Sequence, residues 1–165
     1  MKLWTSIAAA AALTFVSLSS FAADYKAGDL TLSKTWTRAT PPKAKAGGGF
    51  VEIMNSGATA DRLVAASSDV AAKVEIHEMA VTDGIMKMRE LNDGIEIPAG
   101  ETVTLQPGGL HIMFMGLNQS FEEGTTVPVV LTFEKAGDVA IDLDVAKMGA
   151  KSMDHGHGDH GHNHN

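Results

Sequence analysis

The sequence predicts an all-β protein, an antiparallel sandwich or barrel of short strands. Three observations carry that prediction: apolar residues recur at every second position through most of the chain, turn-forming Gly, Pro, Asn and Asp interrupt them at short intervals, and no stretch keeps the 3.6-residue period of an amphipathic helix. A single helical turn within residues 65–74 is the most helix that is expected.

Residues 29–38 open the series, with Leu30, Leu32 and Trp36 on even positions and Thr31, Ser33, Thr35 and Thr37 between them, so one apolar face is predicted. Residues 39–49 hold Pro41-Pro42 and Gly47-Gly48-Gly49 and read as a loop. The triple glycine reads as a turn, because no helix pattern follows that would make it a phosphate cradle. Residues 50–55 form a strand that ends in an Asn-Ser-Gly turn, and residues 61–67 start the next, with Asp61 placed to cap a backbone group. Residues 72–81 alternate, with Val74 and Ile76 on one side and Lys73, Glu75, His77 and Met79 on the other. Thr82-Asp83-Gly84 then turns the chain into residues 85–91, which predicts a hairpin. There Met86 and Met88 share one face and Lys87 and Arg89 the other, so alternation alone does not say which side is buried. Further strands are expected at 95–97, 102–105, 110–115, 127–134 and 138–145.

Both ends differ in composition from this body. Lys2, an apolar run at 7–18 and Ser20-Phe21-Ala22 have the form of a signal peptide, with cleavage expected after Ala22 and Ala23 as the alternative. The run is shorter than the roughly 20 apolar residues of a membrane span. From Lys151 the composition changes again, and no apolar residue follows Met153. That segment has too little to bury to offset its ordering entropy and is expected to be disordered when free. The chain therefore divides into a signal peptide (1–22), a β body (23–150) and a histidine-rich tail (151–165), and export to the periplasm is the expected address.

None of the 165 residues is cysteine, which removes disulfides, thiolate nucleophiles, the lipid-bearing cysteine of a lipoprotein and a blue-copper site. A formal charge of −7 disfavours nucleic acid and anionic membranes as partners and favours cations or basic protein patches.

The body's chemistry is concentrated in Leu110-His111-Ile112-Met113-Phe114-Met115. If Leu110, Ile112 and Phe114 fill a core, the opposite face carries His111, Met113 and Met115, and His77 is placed outward in the same way. Outward strand positions more commonly hold Thr, Lys, Glu or Ser. A lone methionine is usually a core filler and a lone histidine a surface group, yet nine methionines and seven histidines without a cysteine form a biased inventory. With the hairpin packed beside this strand, His77, Met88, His111 and Met113 make a soft, neutral donor set that prefers Cu(I) to Zn²⁺, Mg²⁺ or Ca²⁺. In the tail, His155, His157, His160, His162 and His164 stand two or three apart in a Gly/Asp chain, a pattern suited to Cu(II), Zn²⁺ or Ni²⁺. Asp142 and Asp144 share a strand face and read as a solvated outer surface.

His77, ten residues, Met88, and then His111-Ile112-Met113 resembles the ligand motif of the PCuAC family of periplasmic copper chaperones. The resemblance extends to Trp36-Thr37-Arg38-Ala39-Thr40, Met54-Asn55-Ser56-Gly57, Val74-Glu75-Ile76-His77-Glu78-Met79, Ile97-Pro98-Ala99-Gly100 and Leu105-Gln106-Pro107-Gly108-Gly109-Leu110-His111. It covers residues 29–145 and implies a cupredoxin-like β-sandwich that binds Cu(I) through His77, Met88, His111 and Met113. It also implies a copper-accepting partner, cytochrome c oxidase at its CuA site or the assembly factors of that enzyme. The gap of 22 residues between Met88 and His111 is one longer than the usual family spacing, which leaves Met86 as a competitor for the Met88 position and Met79 and Met115 as spare thioethers.

The resulting expectation is a monomeric, exported copper carrier, not an enzyme: a methionine-rich site favours Cu(I) over redox cycling, and no general base accompanies the donors. The alternative is a periplasmic copper, zinc or nickel sink led by the tail.

Overall fold

The computed structural model describes residues 24–153. The expected signal peptide and all five tail histidines lie outside the described residues. Eleven strands follow in order: β1 (Tyr25–Ala27), β2 (Leu30–Arg38), β3 (Ala46–Asn55), β4 (Asp61–Ser67), β5 (Ala71–Thr82), β6 (Ile85–Glu90), β7 (Ile95–Ile97), β8 (Thr102–Leu105), β9 (Leu110–Leu117), β10 (Thr126–Phe133) and β11 (Gly137–Ala146). Their order is β6-β5-β9-β3-β2-β11-β10-β4-β7, with β1 added to β2 and β8 to β3. All pairs are antiparallel except β11 and β2, which run parallel. The layers of this sandwich enclose one main core, in which Leu32, Ile53, Leu63, Phe114, Leu131 and Leu143 are fully buried.

No helix occurs among the described residues, so the turn expected within 65–74 does not form. Ala65 and Ala66 instead pair with Thr132 and Leu131 of β10, and Ala71 and Val74 with β9. A local preference of a few tenths of a kcal/mol gives way to two strand ladders, with Val70 buried between them.

Two further departures shape the face on which the histidines lie. Leu30 and Leu32 enter the core, but Lys34 takes a left-handed backbone (φ 50°) and the β2–β3 register shifts between Ser33 and Trp36. One inserted residue reverses which side each later residue faces. Thr35 and Thr37 therefore turn inward, and Trp36, expected on the leucine face, turns outward to stack on Phe50 (centroids 4.6 Å apart) with Ala150 and Met153.

The triple glycine is not a turn. Gly47, Gly48 and Gly49 are strand residues paired with Phe114, Met113 and Ile112 of β9. Their missing side chains allow close packing: a Cβ on Gly49 would lie 2.8 Å from Leu143 Cδ1 and 3.0 Å from Phe114 Cε2. A Cβ on Gly48 would lie 3.3 Å from Phe50 Cζ. Glycine was chosen here by what surrounds it and not by its backbone freedom.

Asp61 caps backbone groups as its position suggested. Oδ1 accepts from the N–H of Arg62 (2.7 Å) and Lys135 (2.9 Å), and Oδ2 from that of Ala136 (3.0 Å), tying the β10–β11 turn to β4. Burial pushes the carboxyl up, but the three N–H donors and the Lys135 charge outweigh it and leave the pKa below the ordinary 3.8.

Gly49→Ala is expected to lower stability by about 1–3 kcal/mol through overpacking, read from thermal or urea unfolding. Asp61→Asn is expected to cost about 1–2 kcal/mol at pH 7. Because the folded pKa of Asp61 is depressed, its contribution is complete above about pH 4 and is lost as pH falls through the folded value. Unfolding curves of the two proteins should therefore converge at acid pH.

Candidate metal centre

The β5–β9 ladder sets His77 directly opposite His111, and Glu75 opposite Met113. The β5–β6 ladder sets Met79 opposite Met88, Val81 opposite Met86 and Glu90 opposite His77. Since facing residues share a side of the sheet, Glu75, His77, Met79, Met86, Met88, His111 and Met113 all lie on one face, away from the core side occupied by Ile76, Ile112 and Phe114.

The two rings stand 5.8 Å apart, centre to centre, at 60°. Met88 is one pair along the hairpin from His77, within diagonal reach of a long side chain, and Met86 is one pair farther. Met115 pairs with Lys73, two pairs away from His111 in the opposite direction.

The histidines are on the predicted face, but neither stands out in solvent. His111 is only 6 % exposed and the His77 side chain 12 %. The two rings shield each other across the β5–β9 ladder, and His77 is further engaged by Glu75. Phe50 follows Gly49, the partner of Ile112, and so falls beside His111 in the neighbouring strand.

Each ring has one nitrogen engaged. His111 Nδ1 lies 2.9 Å from the carbonyl oxygen of Gly109; a carbonyl only accepts, so Nδ1 carries the hydrogen and Nε2 keeps its lone pair. His77 Nε2 lies 2.6 Å from Glu75 Oε2. The Glu75 side chain is 7 % exposed, yet Lys73 first and the His77 ring second hold its carboxyl below the ordinary 4.5. An ionised carboxylate accepts only, so His77 Nε2 is the donor and Nδ1 keeps its lone pair. That Nδ1 is buried and has no hydrogen-bond partner among the described residues. A buried unpaired nitrogen is costly unless something else uses it.

Glu75 was legible as a neighbour of His77 on one strand face, but not as its hydrogen-bond partner. The signal was a carboxylate two residues from a histidine on the same side. Among the described residues no three His, Cys, Asp or Glu side chains group so as to hold a metal ion. Methionine sulfur on the same face, at Met88 and Met113, is a donor type that favours soft ions over hard ones.

Comparison with solved structures finds the same architecture in the apo PCuAC domain from PmoF1 (28 % identity, TM-score 0.65, covering 76 % of this chain and 99 % of that domain). The copper-bound PCuAC domain from PmoF2 is similarly close, at 26 % identity and TM-score 0.64 over 76 % of this chain and 98 % of that domain. Among curated proteins, the chain is 36 % identical over 108 residues to "Putative lipoprotein Lxx21020" of Leifsonia xyli subsp. xyli (strain CTCB07), a match spanning 66 % of this chain and 64 % of that protein. The family model described as "Putative lipoprotein LpqE-like" matches residues 30–145, which include every strand from β2 to β10 and nearly all of β11. The chain belongs to this LpqE-like family.

Proposed function

We propose that this protein is a copper chaperone of the cell envelope that carries Cu(I) on His77, Met88, His111 and Met113. The observation that supports the reading best is the facing pair His77 and His111: each has one nitrogen engaged by an acceptor and the other free, and methionines lie on both sides. Nδ1 of His77 and Nε2 of His111 are the ligating atoms. In the neutral rings these two atoms keep their lone pairs for an ion, and thioethers do not titrate. The copper-bound PmoF2 domain supports the choice of metal.

Export agrees with the signal-like N-terminus and with the lipoprotein descriptions of the family and of the Leifsonia protein. None of the 165 residues is a cysteine that could carry a lipid, so that part of the description is not carried over. The protein acts as a carrier and not as an enzyme. It hands the ion on by ligand exchange to a respiratory copper enzyme, cytochrome c oxidase at its CuA site or that enzyme's assembly factors. The tail residues His155, His157, His160, His162 and His164 form a second site for Cu(II).

Glu75 supports His77 from behind, as carboxylates commonly support metal-binding histidines. It fixes the ring and raises the basicity of the free nitrogen.

Cu(I) titration against a competing chelator, using protein shortened after Met153, is expected to show one tight ion per chain. His77→Ala, Met88→Ala, His111→Ala and Met113→Ala should each weaken it tenfold or more, about 1.4 kcal/mol. Unchanged affinity in all four ends the assignment, and loss of most capacity with the tail would favour a histidine-led sink. Glu75→Leu should weaken Cu(I) binding about 10–100-fold. In nitrogen-15 NMR of the metal-free protein, the same variant should mix the His77 tautomers while leaving His111 unchanged.

A further inference from the structure

The β5–β6 hairpin carries more sulfur than the centre described above uses. It closes on a two-residue turn, Asp83-Gly84, with φ 52° and 76°, and β6 is an edge strand that pairs with β5. Every residue of β6 is exposed. One face carries charge, where Arg89 donates two hydrogen bonds to Glu78 and Lys87 stands beside them. The other face carries Met79, Val81, Met86 and Met88 toward the turn, none of which belongs to either core cluster, with His77 and Glu90 facing each other at its far end. Edge strands usually avoid exposed apolar residues, which invite aggregation. Here Met86 is 63 % and Met88 46 % exposed.

Met79 faces Met88 across the ladder, and Met86 is two residues from Met88 on the same side. Cross-strand partners have Cβ atoms about 5 Å apart and diagonal ones about 7–8 Å, within reach of three flexible methionine side chains. Exposure falls steadily along this row: Met86 at 63 %, Met88 at 46 %, the His77 side chain at 12 % and His111 at 6 %. Met88 belongs to both groups of donors.

We infer that Met79, Met86 and Met88 form a second, all-thioether site for a soft monovalent cation on the hairpin, and that this site is the loading and unloading position for the His77–His111 centre. The inference rests on the Cu(I) reading of that centre. An ion arrives on three sulfurs in trigonal coordination, keeps Met88, and exchanges Met86 and Met79 for His77 Nδ1 and His111 Nε2 as it moves inward. Cu(I) remains Cu(I), one donor lone pair replaces another at each step, and no proton or electron moves. The sulfur-only site is the weaker one, and it presents its ion at the sheet edge, where a partner's donors have access.

The full chain, labelled with carbon-13 on the methionine methyls, tests this by NMR titration with Ag(I) as a redox-inert probe. In the unaltered protein the first equivalent should shift Met88 and Met113 and leave Met79 and Met86 in place, because the filled centre holds the shared Met88. In a His77→Ala/His111→Ala double variant, Met79, Met86 and Met88 should still shift together, and Met113 should not. Met79 and Met86 methyls that stay still in the double variant overturn the site. Failure of the first equivalent to shift Met113 would instead count against the His77–His111 centre. Met79→Leu/Met86→Leu, which keeps the apolar surface, should slow transfer of Cu(I) to a soluble chelator tenfold or more, and an unchanged rate overturns the loading role.

Discussion

The pairing of β5 with β9 is the constraint on which the rest depends. A slip of one residue in that ladder would turn either His77 or His111 toward the core and replace it with Ile76 or Ile112. The register is held from both sides. Ile76, Ile112 and Phe114 fill the interior, and Gly47 to Gly49 let β3 approach β9 closely enough to bury Phe114. The triple glycine is thus a packing device whose effect reaches the histidine face, because Gly48 sets no side chain opposite Met113.

Around the facing histidines the polar groups are few, and nearly all are engaged. Gly109 and Glu75 each take one ring hydrogen, and Lys73 balances the Glu75 charge. What remains is a pair of nitrogen lone pairs beside neutral sulfur. In a partly dry environment, a donor set without charge suits a monovalent ion better than a divalent one. A divalent ion would bring a larger desolvation cost, and Glu75, the carboxylate bonded to the His77 ring, is already engaged by Lys73.

The same face also receives the end of the body. The bulge at Lys34 turns Trp36 outward against Phe50, and Ala150 and Met153 pack on that pair while Arg38 Nε donates to the Ala150 carbonyl at 2.6 Å. The last described residue, Met153, therefore lies on the same face of the sheet as Phe50.

The all-β class, the position of most strands, the Asp83-Gly84 hairpin and the outward side for His77, His111 and Met113 were legible in the chain alone, whereas the side taken by Met86 and Met88 was not. Those features follow from a period of two and from turn chemistry, both local properties of the chain. Tertiary structure decided what depends on residues far apart. It made Gly47 to Gly49 a strand, because Phe114 and Leu143 need the space. It turned Trp36 away from Leu32, because one inserted residue reverses an alternation that no local pattern reveals. It also covered His111 and chose which nitrogen of His77 stays free, since a tautomer is set by the partner the fold brings to the ring, and the partner here is Glu75.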